Sequence, residues 1–349
     1  MGGRVLVAMS GGVDSSVAAA LLVESGHEVV GATMKLWGGA SDSGCCSVAD
    51  VDDARRVAQQ LGIVHHVFNF GDDFEAAVVG PYVEAHAAGL TPNPCIECNR
   101  HLKFDRFLHR ARQLGFDAVA TGHHARVTCD RGRWQLRRGA DAAKDQSYVL
   151  SMLGQHQLSR VRLPVGELTK AEVRDRAGAL GLRTATKAES QDVCFITSTG
   201  GRGAFLGERI ELRPGRVLDA ATGREVGEVP AIELVTVGQR RGMGGAAGGG
   251  ERRYAIAVDA VAGTVVAGTE ADLLTDGLAV SAGGWSWTDE PVAAGTVVSA
   301  QVSAHGPPRA AVLEAGGRLR WLEPERRVAP GQTVALYDAD RVLGSAIAA

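Results

Sequence analysis

The sequence predicts an α/β fold: a doubly wound parallel sheet, followed by a small β-rich central domain and a C-terminal β-barrel. Three observations carry this. Short apolar runs alternate with helical segments over the first 200 residues. A Gly-rich turn lies between the first such run and the first helix. Beyond about residue 200, β-branched segments broken by Gly, Pro and Asp replace the helices. At ~150 residues per domain, 349 residues make two or three domains with cores that need no staples. The expected division is 1–200, 201–272 and 273–349, with no internal repeat.

Val5 to Met9 is wholly apolar and reads as a buried parallel strand. Ser10 to Ser16 reads as a turn, and Val17 to Ser25 as a helix stopped at Gly26. Glu28 to Leu36 is the next strand. Asp50 to Leu61 is an amphipathic helix, with a strand around His65 to Phe70 after it. Phe74 to Ala88 and Asn99 to Leu114 read as helices joined by a Gly- and Pro-containing loop. Ala118 to Thr121 is a short strand, and Asp130-Arg131-Gly132 marks a hairpin turn. Thr169-Lys170-Ala171-Glu172 is a capping box that opens a helix running to Leu180. Later strands are expected at Gly215 to Leu218, Glu233 to Val237, Tyr254 to Asp259 and Thr264 to Gly268. Gly242 to Gly250 reads as a mobile loop.

Hydrophobic residues are 45% and charged residues 22%, the composition of a folded globular protein. Net charge is 37 − 40 = −3, so a nucleic-acid site must be a local patch. Arg131, Arg133, Arg137 and Arg138, and then Arg240, Arg241, Arg252 and Arg253, supply such patches. No signal peptide or membrane span is expected: the longest uncharged stretch, Pro291 to Pro308, is broken by Pro, Gly, Ser and Gln. A cytoplasmic protein is expected, so cysteines 45, 46, 95, 98, 129 and 194 read first as thiols, metal ligands or catalysts.

Ser10-Gly11-Gly12-Val13-Asp14-Ser15 lies where backbone N–H groups and a helix N-terminus can cradle phosphates. Asp14 suits Mg²⁺ or the neighbourhood of a pyrophosphate. The Gly-Lys-Ser/Thr ending of a Walker loop is missing, as is the dinucleotide glycine spacing. The string resembles the PP-loop ATP pyrophosphatase superfamily, whose mark is SGGxDS. That resemblance implies cleavage of ATP between its α and β phosphates and adenylation of a substrate oxygen.

Cys95-Ile96-Glu97-Cys98 sits beside a helix start, where the dipole favours thiolate. Arg100, Lys103, Arg106, Arg110 and Arg112 follow it. Cys194 lies in Glu189-Ser190-Gln191-Asp192-Val193-Cys194-Phe195. From residue types alone, Cys95, Cys98 and Cys194 could hold zinc with His123 or His124, or an iron–sulfur cluster with one open iron. A thioredoxin-like motif does not fit the order of elements.

Taken together the motifs resemble the tRNA-specific 2-thiouridylase family. The strings are SGGVDSSVAA at 10–19, MKLW at 34–37, TPNPCIECNRHLKF at 91–104 and ATGHHAR at 120–126. They continue with KDQSYVLSML at 144–153, SQDVCFI at 190–196, VGQRRGMG at 237–244 and APGQ at 329–332. The resemblance implies a tRNA sulfurtransferase that uses ATP with Mg²⁺ to adenylate the 2-oxygen of the wobble uridine. Sulfur then arrives from a cysteine persulfide, supplied by a donor protein; AMP and pyrophosphate leave. It makes Cys194 the persulfide carrier and Cys98 the second catalytic cysteine. It places ATP on Ala8, Met9, Ser10, Gly11, Gly12, Val13, Asp14, Ser15, Met34 and Gly122. Asn93, Pro94 and Cys95 would lie beside a flipped-out base, and His123, Lys144, Asp145, Gln146 and Gln332 would touch tRNA. Cys95 departs from members with an acidic residue there. A cluster held by Cys95, Cys98 and Cys194 is an alternative to a persulfide relay, though not the expected one. The rivals are a PP-loop amide-forming ligase or synthetase and a cluster-dependent RNA-binding module. Cys45-Cys46, Cys129 and the Trp285–Trp287 pair read best as ordinary packing or loop residues.

Overall fold

The computed structural model describes residues 2–37, 47–188, 193–196, 200–243 and 252–349. Cys45, Cys46 and most of the Gly-rich 242–250 stretch lie outside them. Among the described residues, seven strands form in the first part of the chain: β1 (Arg4–Ala8), β2 (Glu28–Lys35), β3 (Val64–Asn69), β4 (Ala118–Ala120), β5 (Ala125–Asp130), β6 (Arg133–Arg138) and β7 (Val161–Arg162). Five of them make a parallel sheet in the order β3-β2-β1-β4-β7. The helices α1 (Val13–Glu24) and α2 (Val48–Gln60) carry the chain from β1 to β2 and from β2 to β3.

Period-two alternation in β1 splits the core. Val5 and Val7 face α1, α2 and a later helix through Val17, Val57 and Val173. Leu6 and Ala8 face Phe74, Ile96, Leu102 and Phe107 on the other side. That second side is built by α3 (Gly71–Phe74), a π-helical stretch Glu75–Val79 and α4 (Gly80–Ala87). Next to them, α5 (Pro94–Glu97), a π-helix Cys98–Arg106 and α6 (Phe107–Gln113) follow one another without a break. The short α7 (Gln155–Leu158) precedes β7. The capping box forms as its residues dictate: Thr169 and Glu172 exchange hydrogen bonds at the start of α8 (Lys170–Ala179).

Three expectations are corrected. The first helix begins at Val13, with Gly12 as its cap, so Asp14 and Ser15 occupy a first turn and not a loop. The cysteine-bearing helix begins at Pro94, not Asn99: the Asn93 side chain accepts from Cys95 N at 3.1 Å, and Pro94 takes the first helical position. The expected strand at 233–237 is a 3₁₀ turn, Ile232–Leu234. There the buried Glu233 carboxylate accepts from Arg213 N at 3.0 Å and Arg213 Nε at 2.9 Å, and the chain bends to bring it there.

The central part opens with α9 (Gly201–Gly207) and holds a four-stranded sheet of β8 (Gly215–Asp219), β9 (Glu225–Val229), β10 (Tyr254–Asp259) and β11 (Thr264–Gly268), in the order β10-β11-β8-β9. The last part holds β12 (Leu274–Leu278), β13 (Ser286–Trp287), β14 (Val297–Gln301), β15 (Arg309–Leu313), β16 (Leu319–Arg326), β17 (Thr333–Asp338) and β18 (Arg341–Ile347). The β5–β6 hairpin joins this last sheet through β18, not the parallel sheet beside it. Leu136, Tyr148, Ala335, Tyr337 and Val342 accordingly share one apolar cluster across the boundary. Trp285 and Trp287 stack at 5.5 Å and pack against the last core. Among the described residues, no helix is long and apolar enough to cross a membrane.

Candidate functional site

The chain leaves β1 and β4 in opposite directions, which opens a crevice at the carboxyl ends of these neighbouring strands. A cavity of about 340 Å³ lies there. Its walls include Ala8, Met9, Ser10, Gly12, Val13, Asp14, Ser15, Met34 and Gly122, nine of the ten positions assigned to ATP from sequence. Gly11 lies behind the wall. Its φ is +71°, and a Cβ there would stand 2.3 Å from Asp50 O. Gly122 lets the loop after β4 approach the first turn of α1: its Cβ would meet Ser15 N at 2.5 Å and the Asp14 carbonyl carbon at 2.6 Å. Gly12 caps α1 with no side chain, so the helix N-terminus faces the cavity with its amides uncapped by any side chain.

Lys170 Nζ donates to both Asp14 oxygens, at 2.7 and 2.8 Å, and His124 Nε2 lies 3.3 Å from Oδ1. Burial raises the Asp14 pKa, but the hydrogen bonds from His124 and Lys170 outweigh it and hold the carboxyl below its usual range. Lys187 Nζ reaches Asp50 and Asp53, each at 2.6 Å, and Gly11 O at 3.0 Å. Sequence reasoning gave no role at the cavity to Lys170, Lys187, Asp50 or Lys103, all at or beside it. The capping box located the start of α8 but not the reach of Lys170, and nothing local distinguishes Lys187.

Cys95 is exposed in the first turn of α5, whereas Cys98 is buried one turn on, at the start of the π-helix. The thiol nearest the helix start is therefore Cys95, not Cys98. Cys194 is partly exposed and packs against the same apolar cluster as Cys98. Met34 and Leu36 line the cavity, while the adjacent Trp37 lies 6.2 Å from Phe195, the neighbour of Cys194. Among the described residues, no three His, Cys, Asp or Glu side chains converge as a metal site.

His123 is buried in the cavity wall, 2.7 Å from Thr121 Oγ1; burial, then Lys103 and His124, push its pKa well down, so it is neutral. Gln146 also lines the cavity and holds His124 N through its Oε1 at 2.9 Å. The Asp145 carboxylate accepts from Arg138, Gly139 and Ser147, which shapes the loop around Lys144. Gln332 Nε2 donates to Thr91 O at 2.5 Å, tying the last module to the loop that holds Asn93, Pro94 and Cys95. The basic hairpin is largely ion-paired: Arg133 with Asp289, Arg137 with Asp340 and Arg138 with Asp145.

A family model described as a tRNA methyl transferase HUP domain matches residues 3–198. A tRNA methyl transferase PRC-barrel domain matches 203–269, and an aminomethyltransferase beta-barrel domain 275–348. The tRNA-specific 2-thiouridylase of Chloroflexus aggregans is 47% identical over 98% of this chain and 97% of that protein. Those of Roseiflexus sp. (44%, covering 98% of both) and Mycobacteroides abscessus (45%, covering 99% of both) are comparable. The chain belongs to the tRNA-specific 2-thiouridylase family. As a 2-thiouridylase family member it carries a PP-loop parallel-sheet domain, a PRC-barrel middle domain and a C-terminal β-barrel, the order of modules expected from sequence.

Proposed function

We propose that this chain is a cytoplasmic tRNA-uridine 2-sulfurtransferase that makes 2-thiouridine with ATP. Its membership of the 2-thiouridylase family supports the reaction. The observation that carries the chemistry is the end of β2: Met34 and Leu36 line the nucleotide cavity, and Trp37 touches the neighbour of Cys194. That adjacency supports a reading in which activation and sulfur delivery share one crevice.

ATP would enter as its Mg²⁺ complex. The ionised Asp14 carboxylate is a hard oxygen ligand that suits a Mg²⁺ otherwise held by phosphates, and the ion would offset phosphate charge. The amides at the start of α1 receive the phosphates. The uracil 2-oxygen attacks the α-phosphorus and pyrophosphate leaves, which turns a poor leaving group into AMP. The terminal sulfur of a Cys194 persulfide attacks C2, and AMP departs with the former 2-oxygen. The Cys98 thiolate then attacks Cys194 Sγ. The bond between the two sulfurs breaks, 2-thiouridine is released and a Cys98–Cys194 disulfide remains for the persulfide donor protein or a thiol to reduce. An extruded base would stand beside Asn93, Pro94 and Cys95, in the loop that Gln332 ties to the last module. His123 and Gln146, which line the cavity, would touch tRNA together with Lys144 and Gln332, and Asp145 keeps the loop around Lys144 in shape.

The test is thiolation of unmodified tRNA with ATP and a persulfide source, for the wild type, Cys98→Ala and Cys194→Ala, with iron content recorded. Loss of 2-thiouridine in both variants with tRNA binding intact and no iron supports the relay. Unimpaired thiolation in either removes that cysteine. Iron-dependent activity needing Cys95 supports the cluster route. Methylated uridine from a methyl donor, or ATP consumption with a small amine or acid and no 2-thiouridine, overturns the proposal.

A further inference from the structure

We propose that a cage of aromatic rings, closed on one side by the central module, aims Cys194, and that Phe195 is the positioning residue through which it does so. The inference rests on the reading of Cys194 as sulfur carrier and adds what locates it.

Cys194 does not stand on a helix or strand. It lies in a short turn in which Ile196 N donates to Val193 O at 2.9 Å. Besides its own packing against the apolar cluster, the position of a thiol on such a segment depends on how its neighbours are held. Phe195 is 3% exposed and touches four rings. It meets Phe74 at 5.6 Å and Tyr82 at 5.4 Å, both edge to face, and Phe205 at 5.0 Å and Trp37 at 6.2 Å at intermediate angles. The two edge-to-face contacts have the geometry that the ring quadrupoles favour. The partners come from three separately anchored places: Trp37 from the end of β2, Phe74 and Tyr82 from α3 and α4, and Phe205 from α9. Three such anchors fix a ring in position and orientation, and the adjoining Cys194 moves with it.

The cage also borders both other parts of the reaction. Trp37 follows Leu36, which lines the nucleotide cavity. Burial raises the Tyr82 phenol, Arg202 opposes that and the Cys95 thiol adds to it, which puts Tyr82 within electrostatic reach of the loop that holds Cys95. The central module supplies the outer wall. Arg209 lies 3.9 Å over Phe205 and 5.7 Å from Trp37, and Arg202 donates to Leu234 O at 2.7 Å, tying α9 to its own module. A role for that module follows: it closes the cage.

Sulfur transfer needs the reacting atoms within about 3.5 Å, and a displacement of about 1 Å can cost ~10²-fold in rate. In full-length protein charged with inorganic polysulfide and given unmodified tRNA and ATP, Phe195→Ala is expected to slow single-turnover 2-thiouridine formation about 10- to 100-fold. Pyrophosphate release and the KM values for tRNA and ATP should stay near wild type, and Phe195→Leu should recover most of the rate. Arg209→Ala, at the rim of the cage, should slow the same step by a smaller factor, and it decides the matter if Phe195→Ala does not fold. The proposal is overturned by wild-type sulfur transfer in Phe195→Ala, or in Arg209→Ala where that variant decides. Equal losses of pyrophosphate release and sulfur transfer overturn it too, because that is what a general structural defect produces. Cys194→Ala run in parallel separates the two layers. Thiolation by that variant defeats the carrier reading, whereas its silence beside a fully active Phe195→Ala defeats only the cage.

Discussion

Single atoms shape the candidate nucleotide site. A methyl group on Gly122 would sit 2.5 Å from Ser15 N, against backbone that cannot rotate away. Gly122→Ala is expected to raise the KM for ATP at least about tenfold while the fold persists, measured by tRNA-dependent pyrophosphate release. Asp14 shows how charge shapes the same turn. Its lowered pKa means that its stabilising contribution is present above the ordinary carboxylate pKa and fades as pH falls through the lower folded value. Asp14→Asn removes the carboxylate from Lys170, which keeps only 11% of its side chain exposed. With Asp14 itself 30% exposed, a loss of about 2 kcal/mol is expected in denaturant unfolding, together with a loss of pyrophosphate release.

At the scale of elements, α8 matters because its first residue grips the phosphate loop. Thr169 caps the helix with Glu172, while Lys170 N donates to Asp141 Oδ2 at 2.9 Å and its side chain reaches Asp14. Thr169→Ala should lower stability by about 1 kcal/mol. Gly178 sits on the exposed side of the same helix with open space where a Cβ would go. Gly178→Ala should raise stability by about 0.5–1 kcal/mol, and the pair of urea titrations brackets the helix from both directions. The cysteine helix makes a different point. Its Asn93 cap and Pro94 start put Cys95 in the first turn, and the π-helical stretch that follows begins at Cys98.

The whole molecule is held by cores that cross module boundaries. Tyr148 OH donates to Thr333 O at 2.8 Å, Tyr337 lies under the Arg138 guanidinium at 3.7 Å, and Phe205 of α9 enters the cluster of the parallel-sheet domain. His86 marks the joint with the central module: its Nδ1 lies 3.2 Å from Glu233 O. Burial, then the nearby Arg202, lowers its pKa to about 4, against a partial rise from that carbonyl. The folded protein therefore binds fewer protons here than the unfolded chain. Stability is complete above the ordinary histidine value of 6.5 and falls as pH drops toward about 4. Allowing for screening, the loss is about 2 kcal/mol. Melting curves of the wild type should drop more steeply between pH 7 and 4.5 than those of His86→Asn; parallel curves would show that His86 stays accessible to protons.

What the sequence determined by itself is what depends on neighbours along the chain. Apolar runs and glycines define β1 and the phosphate turn, Thr169 and Glu172 start α8, and Arg131-Gly132, both with positive φ, close the β5–β6 hairpin. The cavity wall proposed for the nucleotide was legible because much of it is one turn plus two strand ends. Other features depend on contacts between residues far apart in sequence, and no local pattern encodes those. Folding alone brings Lys170 and Lys187 to the phosphate loop across more than 130 residues. It sends the hairpin to the barrel sheet, bends 232–234 around the buried Glu233, and gathers Trp37, Phe74, Tyr82 and Phe205 around Phe195. Cysteines, glycines and an ATP signature can be read one residue at a time. Their aim is set by packing, because a side chain's direction belongs to everything that touches it.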